Sequence, residues 1–126
     1  MRVVVYDAGV LIAAERSARR VWADHRVRLE AGIAPLVPAA VVAQASRSAK
    51  QVQLRRLLRG CEVVALDEDA AHLVGALLGK ARTKDVVDAS VVVLAIQRRA
   101  SIVTDDVEDI EQLLAAAGTT TTVNAV

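Results

Sequence analysis

The sequence predicts an α/β fold: a parallel sheet flanked by helices on both faces. Short apolar runs rich in β-branched residues alternate with longer stretches of helical periodicity along the whole chain, which is the pattern of repeated strand–helix–strand crossovers. The strand runs, RVVVY above all, are continuously apolar instead of alternating, as expected of strands covered on both sides. A third observation says where chemistry should gather. Asp7 follows the first strand, Asp85 and Asp88 open an apolar helix, and Asp106 and Asp109 follow a late strand; ligands of such sheets bind beyond the carboxyl ends of the strands.

Residues 2–6 (RVVVY) read as the first strand and 8–30 as one or two helices. The second strand is expected at 33–37 (IAPLV), followed over 39–59 by a pair of helices hinged near Ser46 to Ala49, with Pro38 suited to the first helical position. CEVVAL at 61–66 is the third strand, and 67–80 a helix with Asp67 as N-cap and Gly79 near its end. An apolar helix at 85–99, a strand at 101–104 (SIVT), a helix at 106–117 and a weaker strand at 119–124 (TTTTVN) complete the chain. No repeat or internal linker interrupts the pattern, so residues 1–126 are expected to form one domain.

Hydrophobic residues make up 54% of the 126 positions but aromatic ones only 2%, with no Phe, one Trp (Trp22) and one Tyr (Tyr6). The core must therefore be aliphatic, and an aromatic base-stacking platform of the RRM or OB type is not expected. The lone Cys61 has no internal disulfide partner and reads as a small hydrophobe, which fits a reducing, cytoplasmic setting. The start MRVVVYDAG lacks the apolar stretch of a signal peptide, and VVDASVVVLAI is too short, and too interrupted by Asp88, to cross a membrane. A net charge of +1 leaves any affinity for nucleic acid to local clusters.

Carboxylates collected at one rim repel one another, so a fold that gathers them usually has a divalent cation to hold them. Each acid also has a plainer reading. Asp7, Asp85 and Asp106 stand where helices begin and suit N-capping, and Asp109 suits the helix dipole. Asp88 is harder to explain that way, because an unpaired carboxylate buried in an apolar helix costs several kcal/mol. Thr104 can hold a water or a phosphate through its hydroxyl, or simply fill a strand position. Among the basic residues, Arg47, Lys80 and Arg82 are the candidates for phosphate contact, while Arg55, Arg56 and Arg59 read as a solvated helix face. His25 and His72 read as surface or helix-face residues. No Ser–His–Asp, P-loop or CxxC pattern is present.

Four segments in order, VVVYDAGVLIAA, VPAAVVAQASR (37–47), RTKDVVDASVVVLA (82–95) and IVTDDVEDI (102–110), resemble the PIN-domain ribonucleases, most closely the VapC-type toxins of bacterial toxin–antitoxin modules. The resemblance runs from about Val3 to Val123. It implies a PIN-like parallel five-stranded sheet, with Mg²⁺ or Mn²⁺ held at its edge by Asp7, Asp88 and Asp106, Asp109 joining through water. It further implies an endoribonuclease that cleaves RNA by metal-activated attack of water on a phosphodiester, a cognate VapB-type antitoxin that neutralises it, and a homodimer. The chain departs from the family's pattern in two respects. Gln44 stands where the second acid, usually Glu, is expected, and Ala8 and Gly9 stand where a hydroxyl residue often follows the first acid. The departure at Gln44 motivates a second reading, a degenerate PIN domain that binds RNA or protein without cutting. A third is a phosphoaspartate-type phosphatase or receiver domain with Asp7 as nucleophile.

Overall fold

A computed structural model describes residues 2–126. Five parallel strands, β1 (Val4–Tyr6), β2 (Leu36–Pro38), β3 (Glu62–Val64), β4 (Ser101–Thr104) and β5 (Val123–Ala125), lie in the order β3-β2-β1-β4-β5. Between them run α1 (Ala8–Glu15), α2 (Arg19–Glu30), α3 (Ala39–Ala45), α4 (Val52–Arg59), α5 (Glu68–Ala81), α6 (Val86–Arg98) and α7 (Val107–Ala116). The chain builds outward from β1 to β3, then crosses back to β4 and β5. Right-handed crossovers in opposite directions put the two sets of helices on opposite faces. Accordingly α5, α6 and α7 pack together on one face and α1, α2 and α4 on the other, with α3 touching both α1 and α6.

The core is aliphatic throughout. β1 is wholly buried, and α6 is buried continuously from Asp88 to Ala95 because it lies across β1, β2 and β4 beneath α5 and α7. Among the described residues no helix is long and apolar enough to cross a membrane.

The expected 8–30 helical stretch divides at Ser17, whose φ of 59° breaks the helix, and the hinge at 46–51 separates α3 from α4. Asp67 caps α5 by accepting the Ala70 amide at 2.8 Å. Three expectations shift. Pro38 ends β2 and serves as N-cap of α3, one position before the expected one; its missing N–H is tolerated at either place. The last strand starts at Val123 rather than within the threonine run, and Thr121 instead donates its hydroxyl to the Ala100 carbonyl at 2.8 Å. His25 is a correction: it is only 3% exposed, because Tyr6 on β1 reaches α2 and its hydroxyl lies 2.8 Å from His25 Nδ1. Arg28 donates to the same hydroxyl at 3.1 Å, so Tyr6 is left to donate to the imidazole. Burial and the Arg28 charge lower the His25 pKa, which keeps the ring neutral.

Cys61 lies just before β3, and its thiol donates to the Leu57 carbonyl at 3.3 Å. Burial pushes its pKa up to about 12, so it is an unreactive packing residue.

Candidate metal centre

The strand order reverses between β1 and β4, and the crevice beyond their carboxyl ends is where such sheets bind ligands. Tyr6 pairs with Val103, and the Asp7 amide donates to the Val103 carbonyl at 3.0 Å. Asp7 is therefore fixed at the mouth of the crevice and is only 3% exposed. Its Oδ1 accepts the Ala8 amide at 2.7 Å and its Oδ2 the Thr104 hydroxyl at 2.6 Å. The Thr104 oxygen in turn accepts the Asp106 amide at 2.9 Å. One buried hydroxyl thus ties the two strand ends together.

Asp88 enters from the first turn of α6. Asp85 caps that helix, its Oδ1 accepting the Asp88 amide at 3.0 Å. The cap holds Asp88 in a turn whose next residues, Ala89 and Ser90, are buried, so the Asp88 side chain is drawn inward to 7% exposure. Asp106 is the N-cap position of α7 but makes no well-formed side-chain capping bond, and its carboxylate lies against Asp109. Asp109 lies one turn on, on the same helical face. Asp88, Asp106 and Asp109 each offer an oxygen within 4.8 Å of the others. Asp7 is not in that trio; it lines the same crevice, with both of its oxygens already hydrogen-bonded.

A cavity of about 240 Å³ exposes Asp7, Gln44, Asp85, Asp88, Asp105 and Asp106 together. Gln44, on α3, therefore lines the same cleft as the acids. A second cavity of about 390 Å³ shares Asp85 and Asp88 and adds Asp109, Lys80 and Thr83. Lys80 is thus beside the acids, whereas Arg47 and Arg82 line neither opening. The Arg47 guanidinium bonds the Ser46 carbonyl at 2.7 Å, and Arg82 is the left-handed C-cap of α5.

Charge crowding is unrelieved. None of Asp7, Asp88, Asp106 or Asp109 is in an ion pair among the described residues. Burial first, then the charges of Asp7, Asp85 and Asp106, push Asp88 up to about 7. Burial also raises Asp7, against the opposing hydrogen bonds of Thr104 and Ala8. Asp106 is raised as well, by loss of solvent and then by the nearness of Asp109. Hard carboxylate oxygens, partly buried and without a cationic partner, are the donor set that suits Mg²⁺ or Mn²⁺. The residues present fit the ion.

Asp105, adjacent to the site residues expected from sequence, also belongs to the cleft. Its carboxylate lies where a side chain at position 9 would be, so any larger residue there would push the Asp105 carboxylate aside. The signal was Gly9 itself, a helix-weakening residue placed in the first turn of α1.

A family model described as PIN domain matches residues 4–113. No curated protein sequence matches the chain. Solved structures with the same fold include VapBC2 from Rickettsia felis bound to a DNA fragment from their promoter, with 13% identity, a TM-score of 0.72 and coverage of 98% of both chains. FitAB bound to an IR36 DNA fragment superposes with a TM-score of 0.67 at 16% identity, covering 97% of this chain and 94% of that one. A toxin–antitoxin complex from Klebsiella pneumoniae gives 0.63 at 19% identity, over 84% and 88%.

Proposed function

This chain belongs to the PIN-domain family, and from that premise we propose that it is a divalent-metal-dependent endoribonuclease, the toxin of a two-component module held in check by a VapB-type antitoxin. The observation that carries the reading is Asp88: a carboxylate 7% exposed, with its pKa raised by burial and then by neighbouring acids, and with no ion-pair partner among the described residues. A fold that keeps such a group at a ligand crevice keeps it for a metal.

Asp88, Asp106 and Asp109 are the residues that would hold Mg²⁺ or Mn²⁺, with Asp7 beside them. When bound, the ion supplies a more acidic water and a counter-charge for a phosphodiester undergoing in-line attack. Thr104 orients Asp7 and the start of α7 at once, so neither acid has to be ordered on binding. Lys80 grips a phosphate flanking the scissile one, and Arg82 and Arg47 meet the strand farther out. With no aromatic platform, the protein holds RNA by its backbone, and accessible single-stranded segments are its targets. We assign the protein to the cytoplasm and a homodimer as its working form.

Gln44 supports the second reading, a domain that binds without cutting, since the amide facing the acids supplies an oxygen but no charge. The phosphoaspartate reading is not supported, because both oxygens of Asp7 are hydrogen-bonded and the residue is buried.

The test is incubation of the purified protein with structured RNA in Mg²⁺ or Mn²⁺, and then in EDTA. Cleavage that needs the metal and disappears in Asp88→Asn, with circular dichroism unchanged, supports the nuclease. Unchanged cleavage by Asp88→Asn overturns the site, and metal binding without cleavage selects the binding-only reading. A toxin should also arrest growth of a bacterial host when expressed alone, and co-expression of the adjacent reading frame should restore growth.

A further inference from the structure

A second polar site lies at the other end of the sheet. A cavity of about 490 Å³ is lined by Arg2, Arg28, Arg99, Ser101, Thr122 and Asn124 among others, and no acidic side chain lines it. Arg2 and Ser101 stand at the amino ends of β1 and β4, whereas Asp7 and Asp106 follow their carboxyl ends. Val4 pairs with Ser101 and Val103 with Asn124, so these residues share the sheet face that carries Tyr6.

The three guanidinium groups are uncompensated. Arg98 has Glu62 at 3.6 Å, but its neighbour Arg99 has no carboxylate within ion-pair distance, and neither do Arg2 or Arg28, among the described residues. Arg28 is held in place, lying 5.4 Å from the centroid of the Tyr6 ring and donating to its hydroxyl. The Arg99 backbone is set by the left-handed turn that ends α6, with φ 53°, which starts its side chain at the cavity. Guanidinium groups so placed match the paired oxygens of a phosphate. No aromatic ring lines the cavity for stacking a base, and its volume exceeds that of a single phosphate.

We propose that Arg2, Arg28 and Arg99, with Thr122 and Asn124, form an anion site for ligands carrying two or more phosphates, separate from the metal centre. The shared chemistry is the phosphate group, and its source is either a nucleic-acid backbone or a free oligophosphate. The inference does not rest on the nuclease reading, because the site works without a metal.

The experiment is calorimetric titration of the metal-stripped full chain with pyrophosphate in metal-free buffer. Saturable one-to-one binding is expected. Arg2→Gln combined with Arg99→Asn should weaken it by about tenfold or more, the factor a charge-assisted hydrogen bond carries. Asn is chosen at 99 because it accepts the left-handed backbone; Arg28 is left intact because it also packs on Tyr6. Arg56→Gln, outside the cavity, should leave the affinity unchanged. Displacement of pyrophosphate by a single-stranded oligoribonucleotide identifies backbone phosphates as the source, and failure to displace it identifies a free oligophosphate. No saturable binding, equal affinity in the double variant, or an equal loss in Arg56→Gln overturns the site.

Discussion

The Thr104 hydroxyl donates to Asp7 across 2.6 Å and accepts the Asp106 amide at 2.9 Å, so a single buried oxygen sets the spacing of two acids that are far apart in sequence. Thr104→Val keeps the shape and removes both bonds. A buried acceptor on Asp7 and the Asp106 donor would then be unpaired, a loss of about 1–3 kcal/mol in stability. Metal affinity or cleavage should fall about 10–100-fold, the usual effect of removing a group that orients a ligand. Thermal melting and Mn²⁺ titration of the variant measure the two effects; an unchanged affinity would mean that Asp7 needs no positioning.

The acid cluster makes stability depend on pH in a direction fixed by sign. Asp88 moves from an ordinary 3.8 up to about 7 in the folded chain. Between those values the folded state binds more protons than the unfolded one, so metal-free stability falls as pH rises from about 4 to about 7. Melting temperatures across that range should decline. Asp88→Asn should flatten the decline, and added Mg²⁺ should reverse it at the alkaline end. A melting temperature that instead rises across the window would mean that the carboxylates are paired.

Gln44→Glu restores a negative charge to a position that already faces the acids. The added contact should be worth about 1–3 kcal/mol, roughly five- to a hundredfold tighter Mn²⁺ binding. Without metal the extra repulsion should lower the melting temperature, so the variant's response to added metal should be steeper than the parent's. Equal Mn²⁺ affinities would place Gln44 outside the ion's reach.

Asp106→Asn separates a ligand from a cap. Its side chain makes no capping bond, and its carboxylate is crowded by Asp109 and Asp105, so the variant should melt higher than the parent in EDTA and lose metal-induced stabilisation. A lower melting temperature in EDTA would return the residue to a capping role.

The alternation of strands and helices was legible in the sequence because apolar period and turn residues are local signals. The acids were legible for the same reason: each directly follows a strand or opens a helix. What the sequence left open was non-local. The β-branched run at 33–37 does not say where pairing begins, and the partner strand puts β2 at Leu36. His25 was misplaced because its partner Tyr6 is distant in the chain and meets it only once α2 packs on the sheet. That Asp109 joins Asp88 and Asp106 closely, with Asp7 outside the trio, depends on how α7 leaves β4, and the proximity of Asp105 to Gly9 is likewise set by tertiary packing.

Trp22 sits 5.9 Å from the His25 ring, edge-on, with the Arg56 guanidinium 5.0 Å from its own ring centroid and its indole N–H on the Ala14 carbonyl at 3.0 Å. It lines a cavity of about 620 Å³ between α2 and α4 and neither of the acidic ones. Because the chain has no other Trp, emission excited at the red edge of the absorption band, beyond the reach of the single Tyr, comes from one address. That emission therefore reports on the α2–α4 cleft, so it should shift in colour when something settles against that helix pair and should not when an ion enters the carboxylates.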